Sequence, residues 1–382
     1  MNPRIKVLVA TIKFAGGGAE RVIGTFLQHL DRSRFEPGLV IFRDERTYDI
    51  PADVPVWVIP KTRAWHIPAA AMGLAKLIRA WRPDVIYSHL ALANLIVGAA
   101  RLLGPGRPAW AAAQHLNPAN DVPGWWRPVY SLLLRSSDAM VAVSKGVASA
   151  LARTFHLPRS RIVAVYNPID FSAIDRSLDQ ASPRGARTVV TAGRLVAEKD
   201  HATLLRAFAR IRRSVDADLL ILGEGGLRGD LERQAAKLGL REHVSMPGWA
   251  NDPFSRMRAC DVFVLSSKTE ALPTALIEAM ACGLPCVSTR CRYGPDEIIE
   301  DSRSGLLVPV GDDEAMAAAV LRLLGDRAEA ARIAEEGSRR VRSLFRVEDR
   351  IAQPGPARAL DPERRPEPHR HGVASSFRIV GA

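Results

Sequence analysis

The stretch TVVTAGRLVAEKDH, residues 188–201, decides the fold. Four β-branched residues run into Ala192 and Gly193, a short loop carries Arg194 and Lys199, and an amphipathic stretch follows from about His201 to Arg213. This is a buried strand handing over to a helix. The same unit already recurs through the first 170 residues. After a polar passage with Pro and Gly from Asp170 to Arg187, it starts again.

Outward from that restart, the first half reads as strands at IKVLVA (5–10), LVIF (39–42), VWVI (56–59), DVIYSH (84–89), PAWAAA (108–113), AMVAVS (139–144) and IVAVYN (162–167). Helical stretches separate them at about 19–29, 68–80, 126–136 and up to about Thr154. The second half adds DLLILG (218–223), HVSMPG (243–248), DVFVLS (261–266), PCVST (285–289) and GLLVPV (305–310), with helices at about 227–238, 273–282, 312–324 and 327–345. Strands of unbroken apolar character between helices require a parallel sheet covered on both faces. The expectation is an α/β chain of two doubly wound, Rossmann-like domains, 1–170 and 171–350, facing each other across a cleft at the carboxyl ends of their strands. Residues 351–382, rich in Pro and Arg without a sustained period, read as a disordered or atypical tail.

The 382 residues carry a formal charge of +12, unevenly placed. Residues 1–170 hold 21 Lys and Arg against 11 Asp and Glu, whereas residues 171–350 hold 27 of each. Six of the seven tryptophans lie in the first half, Trp125 and Trp126 directly before Arg127 and Trp65 close to Arg63. Indole rings beside cations suit the headgroup level of an anionic bilayer; a phosphorylated acceptor or plain solubility also accounts for the charge. Nucleic acid is disfavoured, because no helix is strongly basic along one face and no RNA-binding signature occurs. Cys260, Cys282, Cys286 and Cys291 lack zinc-ligand spacing and read as reduced core thiols, which makes the cytoplasm the expected compartment. The opening MNPRIKVLVATIKF enters a strand without the pattern of a signal peptide, and LALANLIVGAA (90–100) is about half a bilayer span.

Three stretches offer chemistry. In KFAGGGAERV, Gly16, Gly17 and Gly18 precede a helix, so bare N–H groups at a positive helix end suit a phosphate, or the glycines serve only a turn. In TAGRLVAEKDH, Arg194 and Lys199 match a diphosphate by fork and point charge, unless they are ordinary loop cations. In SSKTEALPTALIEAMACGLPCVST (266–289), Glu270 precedes a helix begun at Pro273 and Glu278 lies one to two turns into it. Two acids at different depths suit the hydroxyls of a sugar and a ribose; the alternative is a cap and a half-exposed helix residue.

In order and spacing, GGGAERV, VSKGV (143–147), VYNPID (165–170), AGRLVAEKD, LGEGG (222–226), the E-x7-E of EALPTALIE, EAMACGLPCV and GPDEIIEDSRSGLLVPVGD together resemble the retaining glycosyltransferases of family 4, over roughly residues 4–350. The resemblance implies the GT-B fold and a nucleotide-sugar donor bound mainly by the second domain. It implies that Arg194 and Lys199 grip the diphosphate, Glu270 the transferred sugar and Glu278 the ribose, that the loop at Gly16 and Gly17 closes over the donor, and that His115 sits beside the sugar.

The resemblance further implies a front-face, retaining transfer from a UDP- or GDP-sugar to a lipid-linked or growing surface glycan. No metal or other cofactor is expected, since two fixed cations and backbone donors stabilise the leaving diphosphate. The enzyme is expected on the cytoplasmic face of the plasma membrane as a peripheral protein; no oligomeric state is legible. A sugar-nucleotide 2-epimerase of the same fold and an inactive nucleotide-sugar binder are the alternatives. One departure stands out: members of the family close with a helix that braces the first domain, whereas proline follows soon after Arg350, so a shortened closing helix or an altered end is expected.

Overall fold

The aliphatic and β-branched runs fold as two sheets in which every strand pair is parallel. The computed structural model describes residues 3–60, 66–103, 107–178, 187–250 and 252–352. The first sheet comprises β1 (Ile5–Thr11), β2 (Phe35–Ile41), β3 (Val56–Val58), β4 (Val85–His89), β5 (Ala109–Gln114), β6 (Ala139–Ala142) and β7 (Ile162–Ala164), in the order β3-β2-β1-β4-β5-β6-β7. The second comprises β8 (Thr188–Ala192), β9 (Asp218–Leu222), β10 (Val244–Gly248), β11 (Val262–Leu265), β12 (Cys286–Thr289) and β13 (Leu306–Val308), in the order β10-β9-β8-β11-β12-β13.

Each order reverses once, between β1 and β4 and between β8 and β11. Loops leaving the two strands at such a reversal part to opposite faces and open a crevice beyond the carboxyl ends. The glycine loop follows β1, the Arg194–Lys199 loop follows β8, and Glu270 follows β11. Strand order alone therefore delivers these residues to the two crevices.

In the first half the covering helices are α1 (Gly18–His29), α2 (Ile67–Trp81), α3 (Ala91–Leu102), α4 (Pro118–Asp121), α5 (Arg127–Arg135) and α6 (Lys145–Phe155). There follow α7 (Phe171–Leu178), α8 (His201–Arg212), α9 (Arg228–Lys237), α10 (Pro253–Arg258), α11 (Thr274–Ala281), α12 (Pro295–Ile298), α13 (Asp313–Gly325), α14 (Arg327–Phe345) and α15 (Val347–Ala352). The apolar run at 90–100 is α3, whose buried Asn94 donates to the Ala113 carbonyl and to the Tyr130 hydroxyl. Among the described residues no helix is long and apolar enough to cross a membrane.

The passage from Asp170 to Arg187 is not wholly irregular, because Phe171 and Ile174 are buried and turn it into α7, which packs on α10 and α11. One hydrophobic cluster runs from Leu8 and Ile86 in the first sheet through Ile169, Phe171 and Ile174 to Phe263 in the second and to Leu276 and Phe345 in its covering helices. The chain returns at its far end: the Ile169 amide donates to the Phe345 carbonyl at 2.9 Å, and α15 packs against α1. Among the described residues, α15 is thus the closing element. The expectations for 353–382 and for Arg63 and Trp65 fall outside the described residues. All four cysteines are buried thiols.

Candidate active site

At the β8/β11 reversal, Lys199 Nζ lies 2.5 Å from Glu270 Oε1, and the Ser267 hydroxyl donates to the same oxygen at 2.6 Å. Both charged side chains are largely shielded, at 19% and 10% exposure, so their attraction is screened far less than that of a surface pair. Among the described residues Glu270 Oε2 takes no hydrogen bond, and it remains available to a hydroxyl. Stitching between loops fixes the pair: Ser266 donates to the Lys199 carbonyl at 2.8 Å, Thr289 to the Ser267 carbonyl at 2.6 Å, and the Glu270 amide to the Arg292 carbonyl at 3.2 Å. Arg194 is exposed at the same rim, its carbonyl 3.3 Å from His201 Nε2.

Glu278 stands in α11, which begins one residue after Pro273. Instead of lying half-exposed it is buried, and its Oε1 accepts from Arg21 Nη1 at 2.7 Å. Arg21 belongs to α1, so this ion pair crosses from one sheet's helices to the other's. Burial pushes the Glu278 carboxyl up and the Arg21 charge opposes it; Glu278 in turn raises Arg21.

The glycine loop faces the start of α11. Gly16 has φ 69°, a conformation only glycine takes freely, and its amide donates to Thr47 Oγ1 at 3.2 Å. The Tyr48 hydroxyl donates to the Gly17 carbonyl at 3.1 Å, and a Cβ on Gly18 would lie 3.3 Å from Thr274 Oγ1. The positive end of α1, expected to meet a phosphate, is answered in this structure by its own Glu20, whose carboxylate folds back over Gly17. Burial raises the Glu20 carboxyl, while its own backbone amide, Lys13 and Arg194 lower it, which places Arg194 within electrostatic reach of α1.

His115 follows β5 and is buried with His89, the last residue of β4; His89 Nδ1 and His115 Nε2 are 2.7 Å apart. The outer nitrogens, His89 Nε2 and His115 Nδ1, have no hydrogen-bond partner among the described residues. Burial depresses both rings, His115 to about 4. Two residues on, Asn117 Nδ2 reaches Thr269 Oγ1 at 3.5 Å, beside Glu270. Arg21, Tyr48 and His89 went unread in the sequence. Arg21 lay inside GGGAERV and His89 at the end of DVIYSH, but their partners are 257 and 26 residues away.

The VSKGV, VYNPID and GPDE motifs meet elsewhere along the interface. The Lys145 and Gly146 amides, at the start of α6, donate to the Glu297 carboxylate at 2.9 and 2.8 Å, and the Tyr166 hydroxyl joins them at 2.9 Å. Asp216 and Asp218 are spaced as Asp-x-Asp. They sit at the amino end of β9, away from the crevice, where Asp216 pairs with Arg212 and Asp218 with His243. A cavity of about 820 Å³ near Arg187, Asp261, Pro285 and Arg342 likewise lies at the amino ends of β8, β11 and β12, not at the crevice.

Two facing Rossmann-like sheets, each with one reversal of strand order, define the GT-B class of fold. Residues 16–173 match the family described as Glycosyltransferase Family 4, and residues 176–340 match Glycosyl transferases group 1. The chain belongs to this glycosyltransferase family. It is 28% identical over 337 residues to the N-acetylgalactosamine-N,N'-diacetylbacillosaminyl-diphospho-undecaprenol 4-alpha-N-acetylgalactosaminyltransferase of Campylobacter jejuni, covering 84% of this chain and 90% of that one. It is 34% identical over 205 residues to the lipopolysaccharide core biosynthesis glycosyltransferase LpsE of Rhizobium meliloti, covering 53% of this chain and 58% of that one. In fold it superposes on Anabaena Alr3699/HepE, solved with UDP-glucose, at a TM-score of 0.79 and 20% identity, over 93% of this chain and 99% of that one.

Proposed function

We propose that this chain transfers a sugar, with retention of configuration, from a UDP- or GDP-sugar to a lipid-linked or growing surface glycan. The observation that carries the reading is the Lys199–Glu270 pair beside Arg194 at the β8/β11 reversal. In this reading Arg194 and Lys199 take the donor diphosphate and neutralise the charge that grows on it as the glycosidic bond breaks. Lys199 then exchanges part of its contact with Glu270 for phosphate, and Glu270 accepts from the hydroxyls of the transferred sugar. Glu278 accepts from the ribose, the glycine loop covers the donor, and His115 lies beside the sugar. A leaving phosphate oxygen helps remove the proton of the incoming hydroxyl. With Lys199 and Arg194 supplying the positive charge, the reaction as proposed needs no metal.

The acceptor assignment is supported by the undecaprenol-linked substrate named for the Campylobacter relative, and the uridine choice by the UDP-glucose named for the Anabaena structure. A peripheral position at the inner face of the plasma membrane is supported by the basic first half and by exposed Trp125, Val129 and Leu132.

Thermal-shift measurements against UDP-, GDP- and ADP-sugars, followed by nucleotide release in the presence of membrane extract, test the reading. A UDP- or GDP-sugar is expected to raise the melting temperature and to be turned over. Glu270→Gln is expected to fold and to lose turnover by about a hundredfold or more. A fully active Glu270→Gln, or release of nucleotide from no bound donor, overturns the assignment.

A further inference from the structure

Arg21 contributes to the second sheet's crevice from the first sheet's helix. Glu278 offers two oxygens: Oε1 is held by Arg21, and Oε2 takes no hydrogen bond from the described residues. A ribose diol donates two hydrogen bonds, which an ionised carboxylate accepts and a neutral carboxyl, itself a donor, does not accept equally. An isolated buried carboxylate is costly and answers by taking up a proton. Arg21 is the cation in contact with this one.

We propose that Arg21 is a positioning residue: it keeps Glu278 a carboxylate, aims it at the donor ribose, and so makes nucleotide binding depend on the first domain closing on the second. The proposal rests on the reading of Glu278 as the ribose acceptor. Its geometry is independent of that reading, being one 2.7 Å contact between α1 and α11 with the acid side chain 8% exposed. Tyr48 holds the other end of the device: its hydroxyl ties to the Gly17 carbonyl, so the same residues that seat Arg21 seat the glycine loop.

The groups around the pair are Tyr48 from the loop after β2, Cys282 just past the end of α11, Glu20 beside Arg21 on α1, and, near Cys282, Asp252 and Arg258 at the two ends of α10 and Arg342 from α14. Tyr48 is raised, chiefly by burial, and Cys282 is pushed to about 12, also chiefly by burial, so neither titrates between pH 5 and 8.5. Glu20 is shared by every variant below and cancels in comparison. The sign follows from burial. A carboxyl raised in the folded state leaves stability intact below its unfolded value and loses it as pH rises toward its folded one. Without Arg21 that loss deepens.

The full chain carrying Arg21→Met, Arg21→Lys, Glu278→Gln or Arg21→Met with Glu278→Gln is melted from pH 5 to 8.5, and UDP and GDP affinities are measured by calorimetry. The melting gap between wild type and Arg21→Met is expected to widen as pH rises, and that pH dependence is expected to vanish in the Glu278→Gln background. The nucleotide that binds wild type is expected to bind Arg21→Met about ten- to a hundredfold more weakly, with Arg21→Lys in between. A gap that stays flat with pH overturns the proposal, as does unchanged nucleotide affinity in Arg21→Met. If wild type binds neither nucleotide, the donor reading fails and with it the ribose part, while the melting series still decides whether Arg21 holds Glu278 charged.

Discussion

His89 and His115 form a pair in which one ring must donate and the other accept, so their outer nitrogens are of opposite kind, one N–H and one lone pair. Both rings are depressed by burial, which means the folded state releases protons the unfolded chain would hold at pH 6. Stability from this source is therefore fully present above about pH 6.5 and is lost as pH falls through the folded value, which for His115 is about 4. The shift of His115 alone corresponds to roughly 3 kcal/mol at full effect. The melting temperature is expected to fall from pH 6.5 to 4, and His89→Gln with His115→Gln, which cannot titrate, is expected to flatten that limb. An acid limb of unchanged slope in the double variant would show that the pair does not set it. The same depression keeps both rings neutral at pH 7, which agrees with the proposed place of His115 beside the sugar.

At the scale of elements, α5 and the turn before it present a face the core does not use. Trp125, Val129 and Leu132 are 76%, 47% and 70% exposed, while Tyr130, Leu133 and Leu134 of the same helix are buried. Leu102 and Leu103, at the end of the α3 that packs on α5, are exposed as well, and Arg135 lies on the exposed surface. An apolar stripe beside an exposed cation gains both from lipid burial and from anionic headgroups. Vesicles containing phosphatidylglycerol are expected to bind the full chain at moderate salt. Replacing Trp125, Val129 and Leu132 by Ser is expected to weaken that binding by about tenfold or more. Equal sedimentation of the triple variant with vesicles would remove the membrane from the proposed function.

Trp125 was legible because the signal is local, two tryptophans before an arginine needing no partner to be noticed, whereas Val129 and Leu132 join it only through the turn of α5. The strands were legible for the same reason, since continuous apolar runs of β-branched residues report burial on both faces without reference to what buries them. So was the position of Glu270, which follows from the end of a strand. The short helix α7 was hidden because its two buried anchors, Phe171 and Ile174, sit in polar text, and tertiary packing overrides that local impression. Arg21 on Glu278 and the amides of Lys145 and Gly146 on Glu297 were hidden because each joins residues more than 150 positions apart. A single chain read without a fold gives such a pair no reason to meet.

On the scale of the whole molecule, the question is whether the two sheets unfold separately. Domains joined by a linker usually do, and then no single melting temperature describes the chain. Here the apolar cluster is continuous from Leu8 to Phe263, and the chain crosses the seam forward near Ile169 and back at Phe345. Phe345 is fully buried, its ring 5.2 Å from that of Tyr166, whose hydroxyl reaches Glu297, and its carbonyl holds the Ile169 amide. Truncating it opens a cavity at the point where both crossings meet the core, at a cost of about 3–5 kcal/mol. Calorimetry of the wild-type chain is therefore expected to show one transition, and Phe345→Ala to lower it and separate it into two. Two transitions in the wild type would mean that the seam does not couple the sheets. Nucleotide would then stabilise the second sheet alone, rather than raise the melting of both through the contact that Arg21 makes across the cleft.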